Sequence, residues 1–278
     1  MQVFQNILVN LNLKKSNELS FPFLDYGFLY GYGLFESIRV INGKTFLVNE
    51  HLNRLRKGSI ILDIPFVYDN DQLIESINNL IESNNKADAI LNIYLTPGDR
   101  HLDPTRLKEI KDPLFLAVMR PRPKYEPSQR ITLDIRQESF QKTQLDRFKT
   151  LSWMKNVLEK KLTIQEDDVL LYNQNHQILE ASSANVFFVK GEKVITPKSS
   201  VVLAGITRAY LLSNQSKFDY EIVQEEVTLN DLEYFDEIFL TNALKGIILV
   251  QGLTGYQLKS KSISEKIQEK YIQIINSL

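Results

Sequence analysis

The residues equipped for chemistry are scattered along this chain, and each taken alone also fits a plain structural role. Lys149 lies between Asp146-Arg147-Phe148 and an apolar run that opens at Leu151. A lysine sheltered in an apolar pocket loses proton affinity and becomes a competent amine nucleophile; an unsheltered one is an ordinary surface cation. Glu180 closes a strand-like stretch and is followed by the small polar turn Ala181-Ser-Ser-Ala-Asn185. A carboxylate there is either partly buried beside a cation or simply solvated. Gly205-Ile-Thr-Arg208 puts a glycine before an expected helix start, with the Thr207 hydroxyl beside the first free N–H groups. Such starts bind phosphate through unpaired donors and the positive end of the helix dipole, although an ordinary N-terminal turn has the same composition. His51 and Arg54, three apart, share one face of an expected helix, and an arginine fork suits phosphate. Arg100-His101 follows Tyr94-Leu-Thr-Pro-Gly-Asp99, a strand running into a loop, where a carboxylate clamp or mere surface charge fits. Tyr30-Gly-Tyr-Gly33 lacks both GxGxxG spacing and a following Lys-Ser/Thr, so it reads as a tight turn rather than a nucleotide loop.

Composition narrows the choice. The 278 residues carry 33 basic and 34 acidic side chains, a formal charge of −1, with 43% hydrophobic and 24% charged residues. That is the mix of a globular chain with one large or two ordinary domains. A near-neutral balance leaves no excess cation to replace phosphate counterions, so nucleic acid is not the expected partner. The absence of Cys excludes disulfides, thiolate metal sites and a Cys nucleophile, and three well-separated His make a metal centre unexpected. No targeting segment or membrane span is visible, and the reading is of a cytoplasmic protein.

The elements that must position these residues follow from periodicity. Ser37–Ile41, Asn42-Gly43 and Lys44–Val48 predict a hairpin with a type I′ turn. Asn49 is expected to cap the following helix, with Leu52 and Leu55 inward and Gly58 near its end. A second helix is expected over 71–83, then strands at 89–95 and 114–119. Arg120-Pro-Arg-Pro123 is the expected linker between an N-terminal lobe (1–119) and a C-terminal lobe (124–278) that carries Lys149. Beyond it come a strand at 130–136, a helix at 151–164 with Leu151, Met154, Leu158 and Leu162 inward, and strands at 169–172, 177–180, 185–189 and 194–196. A helix at 206–214, strands at 220–226 and 237–240, an apolar run at 246–250 and a closing amphipathic helix at 262–276 complete the chain. Without regular βαβ alternation, the expected class is α+β, two lobes of mixed or antiparallel sheet packed with helices.

Taken together and in order, the motifs resemble the class IV aminotransferases, the fold-type IV pyridoxal-phosphate enzymes. Asp25-Tyr-Gly-Phe-Leu-Tyr-Gly-Tyr-Gly-Leu-Phe-Glu-Ser-Ile-Arg-Val40 resembles the family's DRG…FGDGVFETIRV stretch. His51-Leu-Asn-Arg54 is similar to its HLxRL helix, Phe148-Lys-Thr-Leu-Ser-Trp-Met154 to IKxLNxL, and Glu180-Ala-Ser-Ser-Ala-Asn-Val-Phe187 to ExxxxNxF. The resemblance implies a pyridoxal 5′-phosphate enzyme in which Lys149 forms the Schiff base and then moves the substrate proton. Glu180 would lie against the pyridine nitrogen, and Arg54, Ile206, Thr207, Asn242 and Ala243 would hold the phosphate. Phe35, Ser37, Tyr94, Arg100 and His101 would face a small amine substrate, and a homodimer with the cofactor between the lobes is implied. Ser37, Thr241-Asn-Ala-Leu244 and Met154 favour the 4-amino-4-deoxychorismate lyase branch, which makes the folate precursor p-aminobenzoate. A D-amino-acid or branched-chain aminotransferase is the alternative, and a non-catalytic protein of the same fold a third reading.

Overall fold

The computed structural model describes residues 3–20, 23–98, 112–259 and 262–278. The chain divides into two compact units, one of Met1–Pro123 with Phe148–Trp153 and Leu278, the other of Lys124–Arg147 with Met154–Ser277. Phe148–Trp153, and Lys149 with it, thus packs with the first unit rather than with the C-terminal residues on either side of it.

In the first unit, β1 (Asn6–Val9), β2 (Asn12–Lys15), β3 (Leu34–Ile41), β4 (Lys44–Thr45), β5 (Ala89–Thr96) and β6 (Leu114–Arg120) form an antiparallel sheet in the order β2-β1-β6-β5-β3-β4. Asn42 and Gly43 both take positive φ, as a type I′ turn requires. The strands alternate, so one face gathers Leu8, Leu34, Ile38, Val40, Leu91, Ile93 and Leu95. That face buries the inward stripes of α2 (Val48–Ile61) and α3 (Asn70–Asn84). Asp69 caps α3 by accepting from Gln72 N at 2.8 Å, and Gln72 Oε1 accepts from Asp69 N in return. Ahead of β3, the short α1 (Tyr26–Tyr30) ends at Gly31 in the left-handed conformation.

Two expectations for α2 need correction. The helix starts at Val48 after Leu47 in the left-handed region, so Asn49 lies inside it and caps nothing. Gly58 is interior rather than terminal, because a Cβ there would sit 2.9 Å from both Leu34 methyls. Close packing of α2 on β3 outweighs the ~1 kcal/mol helix cost of glycine.

In the second unit, β7 (Arg130–Gln137), β8 (Asp168–Tyr172), β9 (Ile178–Ala181), β10 (Asn185–Lys190), β11 (Lys193–Pro197), β12 (Glu221–Glu225), β13 (Glu237–Asn242) and β14 (Gly246–Leu253) form a mixed sheet in the order β12-β11-β10-β13-β14-β7-β8-β9. Pairs β11–β12, β14–β7 and β7–β8 are parallel. α5 (Ile206–Ser213) and α6 (Ser262–Asn276) pack on β13, and α6 also covers β14. Both units therefore have the expected α+β character.

The helix expected over 151–164 is shorter, α4 (Met154–Lys161). Its stripe is not a core stripe, since Met154 is 69% and Leu162 52% exposed. Residues 149–151 are instead extended beside the start of β3: Phe35 N donates to Lys149 O at 2.8 Å and Leu151 N to Gly33 O at 2.9 Å. Strand pairing satisfies that backbone before a helix can begin. Among the described residues no helix is long and apolar enough to cross a membrane.

Candidate active site

The first unit holds the lysine. The half-buried Lys149 places Nζ 4.2 Å from the ring centroid of Phe35 and 4.0 Å from that of Trp153. Trp153 meets Phe35 edge-on, and Tyr94 stacks on Phe35 at 6.4 Å. The half-buried amine thus sits against two aromatic faces, which favour its cationic form.

On the helix-covered face of the same sheet lies a polar cluster. Glu36 occupies an inward position of β3, between Leu34 and Ile38, and is 1% exposed. Arg54 Nε and Nη2 donate to its two oxygens at 2.7 and 2.6 Å, a bidentate pair. His51 Nδ1 approaches Glu36 Oε2 at 2.7 Å. Burial pushes the Glu36 carboxyl up, but the Arg54 and His51 charges and hydrogen bonds outweigh it and hold the carboxyl down, at about 2. Burial holds His51 below its ordinary value despite Glu36, and the Arg54 and Lys149 cations act the same way. Neutral His51 then donates from Nδ1 to the carboxylate. One edge of Arg54 is therefore braced by an acid that the motif reading did not single out.

The second unit holds the carboxylate. Glu180, buried at the end of β9, receives Lys142 Nζ at 2.6 Å, Asn185 Nδ2 at 2.9 Å and Leu203 N at 3.2 and 3.1 Å. The Lys142 side chain is only 8% exposed, and the Glu180 charge keeps its ammonium above the ordinary lysine value although burial acts the other way. Asn185 also donates to Leu203 O at 3.0 Å, tying the acid to the loop before α5. That loop ends at Gly205, the N-cap of α5, which supplies no side-chain cap, so the first-turn N–H groups at Ile206 and Thr207 face outward from the helix end. Arg208 turns away from this end, bonding Thr196 Oγ1, Pro197 O and Gln224 Oε1, and fastens α5 to β11 and β12.

A Cβ at Gly205 would fall 1.8 Å from Asn185 Oδ1, so the glycine is set by close approach to the side chain that also holds Glu180. Gly205→Ala is expected to lower thermal stability and to weaken pyridoxal phosphate binding at least ~10-fold by spectroscopic titration, since about 1–3 kcal/mol of overpacking must be relieved by moving Asn185. Unchanged affinity would show that the helix start and the Glu180 cluster are independent.

Of the remaining expected residues, Asn242 ends β13 and accepts from Leu244 N and Lys245 N, shaping the turn that contains Ala243. Ser37 lies on β3 and Tyr94 on β5, on the same sheet face as Phe35. Arg100 and His101 lie outside the described residues. The motif reading passed over Lys142, and it named Glu36 and Ser182 only as members of longer motifs. Glu36 had a visible signal, a carboxylate in the apolar phase of an alternating strand; Lys142 sits in a polar stretch with none.

Two buried hydroxyl oxygens, Ser182 Oγ and Thr241 Oγ1, make no hydrogen bond to the protein. With the uncapped α5 start and the buried acid Glu180, all in the second unit, they offer hydrogen-bond donors for a phosphate and an acceptor for a protonated ring nitrogen, and by residue type the Lys149 amine of the first unit suits an aldehyde. The residues present therefore fit pyridoxal phosphate. Among the described residues no cluster of His, Asp and Glu could hold a metal ion.

The family model for amino-transferase class IV matches residues 33–253. The chain belongs to the class IV aminotransferase family, and it is an enzyme whose cofactor is pyridoxal 5′-phosphate. It is 29% identical over 90% of its length, and 89% of the relative's, to a Methanocaldococcus jannaschii protein inferred to be a branched-chain-amino-acid aminotransferase. It is 25% identical to the D-alanine aminotransferase of Listeria monocytogenes, over 97% of this chain and 96% of the other. The 4-amino-4-deoxychorismate lyase of Pseudomonas aeruginosa shares the fold with a TM-score of 0.84 at 23% identity, covering 97% of this chain and 99% of that one.

Proposed function

We propose that the enzyme is a 4-amino-4-deoxychorismate lyase, releasing pyruvate and p-aminobenzoate. The observation that carries this reading is the aromatic wall at Lys149. Phe35, Tyr94 and Trp153 give the surroundings of the amine an aromatic lining that suits a ring-borne amine. Ser37, the Thr241-Asn-Ala-Leu244 segment and Met154 support it from the sequence.

When bound, pyridoxal phosphate supplies a protonated heterocycle that takes up the electron pair left by a departing proton. With the cofactor bound, Lys149 would anchor it, and the Lys149 amine would serve as the base that takes the proton from the amine-bearing ring carbon of the substrate. The bond to the pyruvate-forming group then breaks, and aromatisation of the remaining ring drives release. Arg54, braced by Glu36 in the first unit, would serve the phosphate, and in the second unit the Ile206 and Thr207 amides and the Asn242–Ala243 turn would do the same. Glu180, fixed by Lys142, Asn185 and Leu203, would accept the hydrogen bond from the ring nitrogen. Exposed Phe23, Phe28 and Tyr30 give a homodimer an apolar surface to cover; light scattering at the 32.2 kDa of one chain would remove that part of the reading.

The test offers aminodeoxychorismate to the holoenzyme and measures p-aminobenzoate and pyruvate in equal amounts. The second reading, a D-amino-acid or branched-chain aminotransferase, is favoured by the similarity to aminotransferases noted above. Turnover of D-alanine or leucine with 2-oxoglutarate, and none of aminodeoxychorismate, would establish it instead.

A further inference from the structure

The sheet face that carries Phe35 also carries a cation that, among the described residues, has no acid bonded to it. Ser37 lies two residues beyond Phe35 on β3, opposite Asn92, as Phe35 lies opposite Tyr94. Arg120, at the end of β6, is paired with Ile90, two residues before Asn92, so its side chain shares that face. The strand expected to stop at Met119 runs one residue further and so fixes Arg120 in the sheet rather than in a linker.

Arg120 Nε donates to Asn92 Oδ1 at 2.8 Å, and Asn92 Nδ2 donates to Ser37 Oγ at 2.8 Å. Asn92 is buried and also donates to Glu36 O at 3.3 Å, so its orientation is set by the strand beside it. The chain of bonds runs one way, which leaves the Ser37 hydroxyl hydrogen to donate outward. Among the described residues no carboxylate pairs with Arg120, although the side chain is half-buried. Burial raises the Tyr94 phenol while the Arg120 charge opposes it, which puts the guanidinium within electrostatic reach of the ring stacked on Phe35. A half-buried guanidinium held by a neutral amide remains short of a negative partner.

We propose that Arg120, oriented by Asn92 and assisted by Ser37, binds a carboxylate at the end of the substrate remote from the amine. Its bond to Asn92 brings the guanidinium level with the Ser37–Asn92 pair, one step of about 7 Å along the strands from Phe35–Tyr94. The substrates selected are therefore primary amines with a carboxylate about four to six bonds away, aromatic or aliphatic. This inference rests on the reading of Lys149 as the reacting amine.

The experiment uses the holoenzyme, after borohydride reduction and mass mapping of a parallel sample have located the cofactor on Lys149. Failure of that step sinks the functional reading rather than the subsite. Calorimetry then compares 4-aminobenzoate with 4-aminobenzamide, and spectroscopic titration compares each enantiomer of glutamate with its glutamine. The wild type is expected to favour the carboxylate by about 10- to 100-fold in at least one pair, the strength of a charge-assisted contact. Arg120→Met is expected to reduce that preference to within about 3-fold, and Arg120→Lys, which keeps the charge but loses the fork, to an intermediate value. No preference in the wild type, or one that survives in Arg120→Met, overturns the proposal. Should Arg120→Met fail to hold cofactor, an undiminished preference in Arg120→Lys overturns it.

Discussion

Lys149→Ala yields a folded protein that has lost covalent cofactor attachment and at least ~10⁴-fold in turnover. In the proposed reading a single side chain would perform both the anchoring and the proton transfer, and positioned acid–base catalysis alone accounts for about 10²- to 10⁴-fold. The change should not unfold the first unit. The strand contacts of this segment are backbone ones, Phe35 N to Lys149 O and Leu151 N to Gly33 O, and they survive truncation of the side chain. Mass spectrometry after borohydride reduction checks the attachment, with the wild type gaining the cofactor on the peptide that contains Lys149 and the variant gaining nothing. Full activity in Lys149→Ala, or reduction fixing the cofactor on nearby Lys155, would end the assignment.

Glu36→Gln is expected to cost about 3–5 kcal/mol of stability, measured by urea unfolding at pH 7, because it leaves the Arg54 cation buried without its counter-charge. The pH dependence should separate this from ordinary repacking. The Glu36 carboxyl is held at about 2 in the folded chain against 4.5 for the free group. Its contribution is full above about pH 4.5 and is lost as pH falls towards 2, roughly 3 kcal/mol in all. The wild type should lose this stability across that window, and the variant, having lost it already, should show a flatter acid limb. His51 works in the same direction at higher pH. Its folded value lies below 6.5, so as pH falls below about 6.5 the unfolded chain gains a proton that the folded one refuses, and stability declines. A variant as stable as the wild type, with the same acid limb, would show that Arg54 does not depend on Glu36. Weaker pyridoxal phosphate binding in the variant would link this brace to the phosphate.

The local readings that held were those governed by near neighbours in the chain. The Asn42-Gly43 turn, the helix α3 and the inward Leu52 and Leu55 of α2 rest on backbone preferences and on 2- and 3.6-residue periods, which short windows contain. The readings that failed involved competition from distant residues. Gly58 weakens a helix in isolation, yet Leu34 requires it to be small. Leu151 belongs to a helical pattern by spacing, but its backbone is taken by Gly33.

The amino-acid order by itself was enough to indicate the family and, through it, the cofactor, because Lys149, Glu180 and Gly205-Ile-Thr207 lie in compact motifs that resemble the family's, while the α+β class followed from the order of strand and helix patterns. Only the tertiary structure decided what stands beside them. Glu36 braces Arg54 from 18 residues away, Lys142 reaches Glu180 across 38, and Arg120 is steered by Asn92 across 28. A sequence pattern reports which face of an element is apolar. The partner of a buried charge on that face depends on strand register and on which chain segments the sheet brings together, and both are settled only when the core packs.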